Sequence, residues 1–178
     1  MKYFSIFFTL SIFILSSCTS STDPTTGKKR TVNEDVLLNR LSADLVTNAR
    51  TQAEKDQNII ASYCIDNMLD MKKTASGLYY QILREGNGDF PTHTSKVSAH
   101  YKGSLLDGTV FDSSYKRGQP LNFKLGQVIK GWQEGLQMLR PGGKGVFLIP
   151  SGLAYGTQGF GKLIPPNTVL LFEVELIK

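Results

Sequence analysis

The chain has 178 residues and a formal net charge of +5, with 40% hydrophobic and 20% charged residues, 17 glycines, 7 prolines and 2 cysteines. That apolar fraction excludes a disordered polymer, two cysteines exclude a disulfide-stapled scaffold, and two histidines exclude a histidine-rich metal site. The length accommodates one ordinary domain with an appendage, or two small domains. Glycine is unevenly spread: only Gly27 precedes residue 77, and all the others lie between Gly77 and Gly161, so two kinds of polymer meet near residue 75.

Residues 1–17 read as a leader. Lys2 precedes an apolar run over 3–15, about 13 residues, too short for a helix across a ~30 Å bilayer but suited to a secretory signal. The run ends in Leu15-Ser16-Ser17-Cys18, which resembles the bacterial lipobox, in which the cysteine is lipidated and becomes the new N-terminus. The expectation is a lipoprotein anchored through Cys18 to a bacterial membrane, outside the cytoplasm and on the periplasmic side; several acyl chains hold durably where one binds only marginally. Residues 18–31, rich in Ser and Thr with the basic cluster Lys28-Lys29-Arg30, read as a flexible tether.

Residues 32–73 read as a helical arm. No glycine or proline occurs from Lys28 to Ser76. Val36, Leu37, Leu41, Leu45, Ala49 and Ala53 recur at spacings of three and four, and Ile59, Ile60, Tyr63, Cys64, Met68 and Met71 form a second apolar set after the polar interval 54–58. Thr31 or Asn33 fits a cap, with Glu34 and Asp35 in the first turn. The spacing admits one long helix or two joined near Asp56. The apolar stripe is buried either against the following domain or against the arm of a second copy, which would make a homodimer. Cys64 admits two readings: an intermolecular bridge, or a buried inert thiol beside Ile60 and Tyr63.

Residues 74–178 read as short strands broken by turns: 79–83, 97–106, 146–149 and 169–177, with Asp107-Gly108 as a hairpin turn. In the last strand Phe172, Val174 and Leu176 alternate with Glu173 and Glu175, giving one wet face. A single helix fits 128–139, with Ile129, Trp132, Leu136 and Leu139 on one face and Arg140-Pro141-Gly142-Gly143 as its stop. The pattern is an α+β domain, an antiparallel sheet wrapped around one short helix, preceded by the helical arm.

Four motifs in this half carry a family resemblance. His100-Tyr101-Lys102-Gly103 with Asp107-Gly108-Thr109-Val110-Phe111-Asp112-Ser113-Ser114 is the first, and Gly126-Gln127-Val128-Ile129-Lys130-Gly131-Trp132-Gln133-Glu134-Gly135 the second. Pro150-Ser151-Gly152-Leu153-Ala154-Tyr155-Gly156 and Ile164-Pro165-Pro166-Asn167 complete the set. Together they resemble the FKBP-type peptidyl-prolyl cis-trans isomerases. The stretch Thr74-Ala75-Ser76-Gly77-Leu78-Tyr79-Tyr80 behind a helical arm resembles the macrophage-infectivity-potentiator-like bacterial subgroup, whose members are often extracytoplasmic and often dimerise through a helical part.

The resemblance implies a cavity lined by Tyr101, Phe111, Val128, Ile129, Trp132, Tyr155, Ile164 and Phe172, with Trp132 as its floor. Asp112 would be a buried polar partner near the substrate carbonyl, held by the Tyr101 hydroxyl, while Tyr155 and the Ile129 backbone N–H would hydrogen-bond the peptide. The family often has an aromatic where Leu121 stands and a histidine where Phe160 stands; both rim positions are read as tuning which residue precedes proline. The implied reaction needs no nucleophile, metal or cofactor. Its implied substrates are proline-containing unfolded or secreted polypeptides, met during extracytoplasmic folding. The alternative is a chaperone or scaffold that binds unfolded polypeptide in the same cavity without turnover. The basic excess lies in the second half, but no basic stripe interleaved with aromatics appears, so nucleic acid is not an expected partner.

Overall fold

The computed structural model describes residues 34–178. The leader, the tether, Cys18 and the helix caps expected at Thr31 or Asn33 lie outside the described residues.

The arm is two helices, α1 (Glu34–Ala43) and α2 (Gln52–Asp66). They are joined at residues 44–51, so the junction expected near Asp56 falls inside α2 instead. Side chains of α2 capture the connecting backbone: Asn58 Oδ1 accepts from Val46 N–H at 2.7 Å, Asn58 Nδ2 donates to Val46 O at 2.9 Å, and Gln57 donates to Asp44 O. A capping box starts α2. Thr51 Oγ1 accepts from Glu54 N–H at 3.2 Å, and the Glu54 carboxylate accepts from Thr51 N–H at 2.8 Å.

Seven strands follow: β1 (Lys72–Lys73), β2 (Tyr79–Arg84), β3 (Lys96–Ser104), β4 (Val110–Ser113), β5 (Leu121–Lys124), β6 (Lys144–Ile149) and β7 (Leu170–Leu176). All described pairings are antiparallel, in the order β1-β2-β6-β7-β3-β4, with β5 sharing the outer edge of β3 beside β4. Helix α3 (Lys130–Leu136) lies on one face. It is shorter than the 128–139 expected: Ile129 is extended, with ψ 149°, and Leu139 is packed from the turn beyond the helix.

The two faces of the sheet bury different sets. Alternation along β7 sends Leu170, Phe172, Val174 and Leu176 toward α3, where they meet Trp132, Leu136, Phe147 and Ile149. Tyr79 and Leu148 point the other way, into a second cluster with Leu37, Leu41, Ile60, Cys64, Met71 and Val169. The arm therefore packs on its own sheet, and of its first apolar stripe only Leu37 and Leu41 are buried. Cys64 lies wholly inside this cluster as a free thiol, and burial pushes its pKa up to about 11. Among the described residues no helix is long and apolar enough to cross a membrane.

Candidate active site

The β3–β4 hairpin builds one wall of the site. Its turn closes through Leu105 N–H to Thr109 O at 2.9 Å, Gly108 supplies a φ of +89°, and Asp107 Oδ1 accepts from Thr109 N–H at 2.8 Å. The register opposes Lys102 to Ser113 and Gly103 to Asp112. Ser114 continues it by donating its N–H to Tyr101 O at 3.0 Å, which leaves Tyr101 and Asp112 as neighbours across the pair.

The floor is Trp132 of α3, 5% exposed. Tyr101 and Phe172 meet it edge-on, with centroids 4.9 and 5.2 Å away, and Phe123 tilts over it at 5.4 Å. Its indole N–H is buried among these rings and has no hydrogen-bond partner among the described residues. Phe111 completes the wall against Phe172 at 5.5 Å. The link from β5 to α3 carries Val128 and Ile129 and is held from the helix, since Gln133 Nε2 donates to Val128 O at 2.6 Å. Ile129 N–H has no partner among the described residues.

These residues enclose a cavity of about 530 Å³. The residues singled out from the sequence for the cavity all line it: Tyr101, Phe111, Asp112, Leu121, Val128, Ile129, Trp132, Tyr155, Phe160, Ile164 and Phe172. Gln127, Gly161, Lys162 and Leu163 line it too and were not anticipated. Phe160 is 63% exposed at the rim, stacked on Tyr155 at 4.8 Å, and a backbone bridge between Phe160 and Ile164 closes the loop that carries it.

Asp112 departs from the buried polar group expected. Its side chain is 41% exposed, and it takes a second partner that sequence reasoning missed: Arg117 donates to one carboxylate oxygen while Tyr101 donates to the other. Arg117 also donates to the Tyr101 hydroxyl at 2.9 Å and lies over that ring at 5.4 Å. Nothing in the spacing announces Arg117, which arrives through the 114–118 turn. Partial desolvation raises the Asp112 pKa, but the bonds from Tyr101 and Arg117 outweigh it and hold the carboxyl below its usual range. Burial and the bond to Asp112 push the Tyr101 phenol up to about 12, and burial likewise raises Tyr155. Both phenols remain neutral donors near pH 7. The cavity thus presents apolar walls, two neutral hydroxyls and one carboxylate already neutralised by Arg117.

The fold sets the class first. The crystal structure of FkpA from Escherichia coli matches 81% of this chain and 63% of its own, with a TM-score of 0.65 and 38% sequence identity. The pattern of the FKBP-type peptidyl-prolyl cis-trans isomerases matches residues 88–177. A probable FKBP-type peptidyl-prolyl cis-trans isomerase of Haemophilus influenzae is 54% identical over 108 residues, which cover 61% of this chain and 45% of that protein. The FKBP-type 22 kDa peptidyl-prolyl cis-trans isomerase of E. coli is 40% identical over 163 residues, 88% of this chain and 78% of that one. The chain belongs to the FKBP-type peptidyl-prolyl cis-trans isomerase family. It spans less than half the length of the Haemophilus relative.

Proposed function

We propose that this chain is a peptidyl-prolyl cis-trans isomerase that accelerates rotation about X–Pro bonds in unfolded or secreted polypeptides outside the cytoplasm. The observation that carries the reading is the aromatic-floored cavity with its neutral hydroxyls and its one charge-balanced carboxylate at the rim. Rotation about the amide meets a barrier near ~20 kcal/mol, because conjugation is lost in the twisted state. A twisted amide has a less charge-separated carbonyl than a planar one, so walls of Trp132, Phe111, Phe172, Val128 and Ile164 receive it better than water does. Each ~1.4 kcal/mol of preference for the twisted form is a tenfold gain in rate.

In this reading the proline ring sits on Trp132 between Phe111 and Phe172. Tyr155 and Ile129 N–H hold the peptide, and Asp112, fixed by Tyr101 and Arg117, faces the twisted carbonyl. Leu121 and Phe160 meet the neighbouring residues. No covalent step or cofactor is involved. The chain divides into a signal peptide (1–17), a tether (18–31), the arm (32–73) and the isomerase domain (74–178). The Leu15-Ser16-Ser17-Cys18 sequence supports a lipid anchor at Cys18 on the periplasmic side of a bacterial membrane. A second copy docking on the arm would meet Val36 and Ile59, which stay exposed there, and mass measurement in solution decides whether a homodimer forms.

A chymotrypsin-coupled assay on an Ala-Leu-Pro-Phe peptide tests catalysis. Wild type should exceed the uncatalysed rate, with Asp112→Ala and Trp132→Leu both impaired. Background rates in all three would leave the cavity as a binding site for unfolded polypeptide only.

A further inference from the structure

Asp56 takes no part in the cavity, yet it is a carboxylate 1% exposed on α2 of the arm. Its Oδ2 accepts from the Ser151 backbone N–H at 2.8 Å and from the Ser151 hydroxyl at 2.6 Å. Its Oδ1 accepts from Gln52 Nε2 at 2.7 Å. No cation pairs with it among the described residues. A carboxylate buried without a counter-ion is costly unless donors hold it, and an apolar side chain would serve simple packing better. What this arrangement fixes is the position of Ser151.

Ser151 opens the segment that carries the rim of the site. The Ser151 carbonyl accepts from Ala154 N–H at 3.0 Å and that of Pro150 accepts from Leu153 N–H at 2.9 Å, so the chain turns tightly before Tyr155. Tyr155 in turn stacks on Phe160. On the arm side of this segment lies a second cavity of about 330 Å³, bounded by Gln52, Ala53, Gly152 and Thr157 among others. Asp56 and Ser151 line this half-open hollow too, and among the described residues their two bonds are the hydrogen bonds that join α2 to the segment.

We propose that Asp56 is a positioning residue of the isomerase site: from the arm it fixes Ser151 and, through the 151–156 segment, the Tyr155–Phe160 rim that meets the residue preceding proline. This rests on the isomerase reading above. The arm thereby sets the substrate preference of a cavity it does not line.

The test uses the full chain as wild type, Asp56→Ala, Asp56→Asn, Asp56→Leu and Ser151→Ala. For each, kcat and KM are measured on Ala-Leu-Pro-Phe and Ala-Ala-Pro-Phe peptides, well below every variant's Tm. Asp56→Ala should lower kcat/KM on the leucyl peptide about tenfold, mainly through KM, because a misplaced binding group loses that much or more. It should also shrink the preference for leucine over alanine. Asp56→Asn still offers an acceptor to both Ser151 donors and should restore the preference. An Asp56→Ala chain with a lower Tm but wild-type KM and preference would overturn the proposal, since Asp56 would then serve stability alone. If Asp56→Ala does not fold, Asp56→Leu decides, because it refills the volume while removing both acceptors; wild-type KM and preference there overturn the proposal equally. Ser151→Ala, which keeps the backbone bond and loses only the hydroxyl, should show a smaller loss of the same kind. An inactive wild type would remove the isomerase reading and the proposal together, whereas an active wild type with unaffected variants removes only the proposal.

Discussion

Gly103 lies next to the C-terminal end of β3, opposite Phe172 of β7 on one side and Asp112 of β4 on the other. A methyl group placed there would stand 2.6 Å from Phe111 Cε2 and 2.7 Å from Phe172 Cε1, where ordinary contact begins at 3.4 Å. The rings would have to retreat by roughly 0.8 and 0.7 Å, a large step on so steep a repulsion. Phe172 is backed by Trp132 at 5.2 Å and Tyr101 at 6.3 Å, so the open direction is the cavity itself. Gly103→Ala should cost about 1–3 kcal/mol by overpacking. At about 2–4 °C per kcal/mol this lowers Tm by roughly 2–12 °C. The site suffers more than the fold, because a displacement near 1 Å costs up to about 100-fold in rate. The assay is kcat/KM on a proline peptide at a temperature where the variant is fully folded, with a thermal melt beside it. A variant within about twofold of wild type in kcat/KM and unshifted in Tm would refute the reasoning, since the rings would then have room that the packing denies.

Three further outcomes follow from the same geometry. The depressed Asp112 pKa adds stability that is present above the unfolded value near ~4 and is lost as pH falls through the folded value. With a side chain 41% exposed, Asp112→Asn should cost no more than about 1 kcal/mol at neutral pH, and denaturant titrations should show the gap closing below about pH 4; a gap that widens on acidification contradicts this. Cys64, buried and with its pKa raised to about 11, should resist iodoacetamide in the native chain at mildly alkaline pH and react in urea; native labelling located at Cys64 by peptide mass mapping would contradict that. Leu41→Ala, made in the cluster shared by arm and sheet, should cost about 2–5 kcal/mol and lower the melting of both together, whereas a separate early arm transition would contradict shared packing.

Much of this fold was legible because its periodicities are local. The alternation of Phe172, Val174 and Leu176 with two glutamates has one sensible reading, and Asp107-Gly108 could only be a tight turn. The lining of the candidate site was legible through motif spacing: Tyr101, Asp112, Trp132 and Tyr155 come from different elements and meet at one cavity. The failures were tertiary. The apolar spacing runs on through Leu45 and Ala49 without a helix breaker, yet Asn58 and Gln57 reach back and hold that backbone in a turn. Thr51 and Glu54 did carry a capping signal that marks the true start of α2. Asp56 looked like part of a polar junction, since nothing in its neighbourhood announces a partner 95 residues away. Arg117 was hidden likewise: its bond to Asp112 exists only once the 114–118 turn is folded.

The central claim is that this cavity lowers the barrier to X–Pro rotation, and NMR exchange spectroscopy on an Ala-Leu-Pro-Phe peptide tests it without a coupling protease. Uncatalysed, the cis and trans resonances interconvert over roughly tens to hundreds of seconds. A substoichiometric amount of the chain should bring that exchange to about a second or faster, and Trp132→Leu, shown to be folded, should lose most of the effect. Exchange that stays at the uncatalysed rate with the wild-type chain present would contradict the claim.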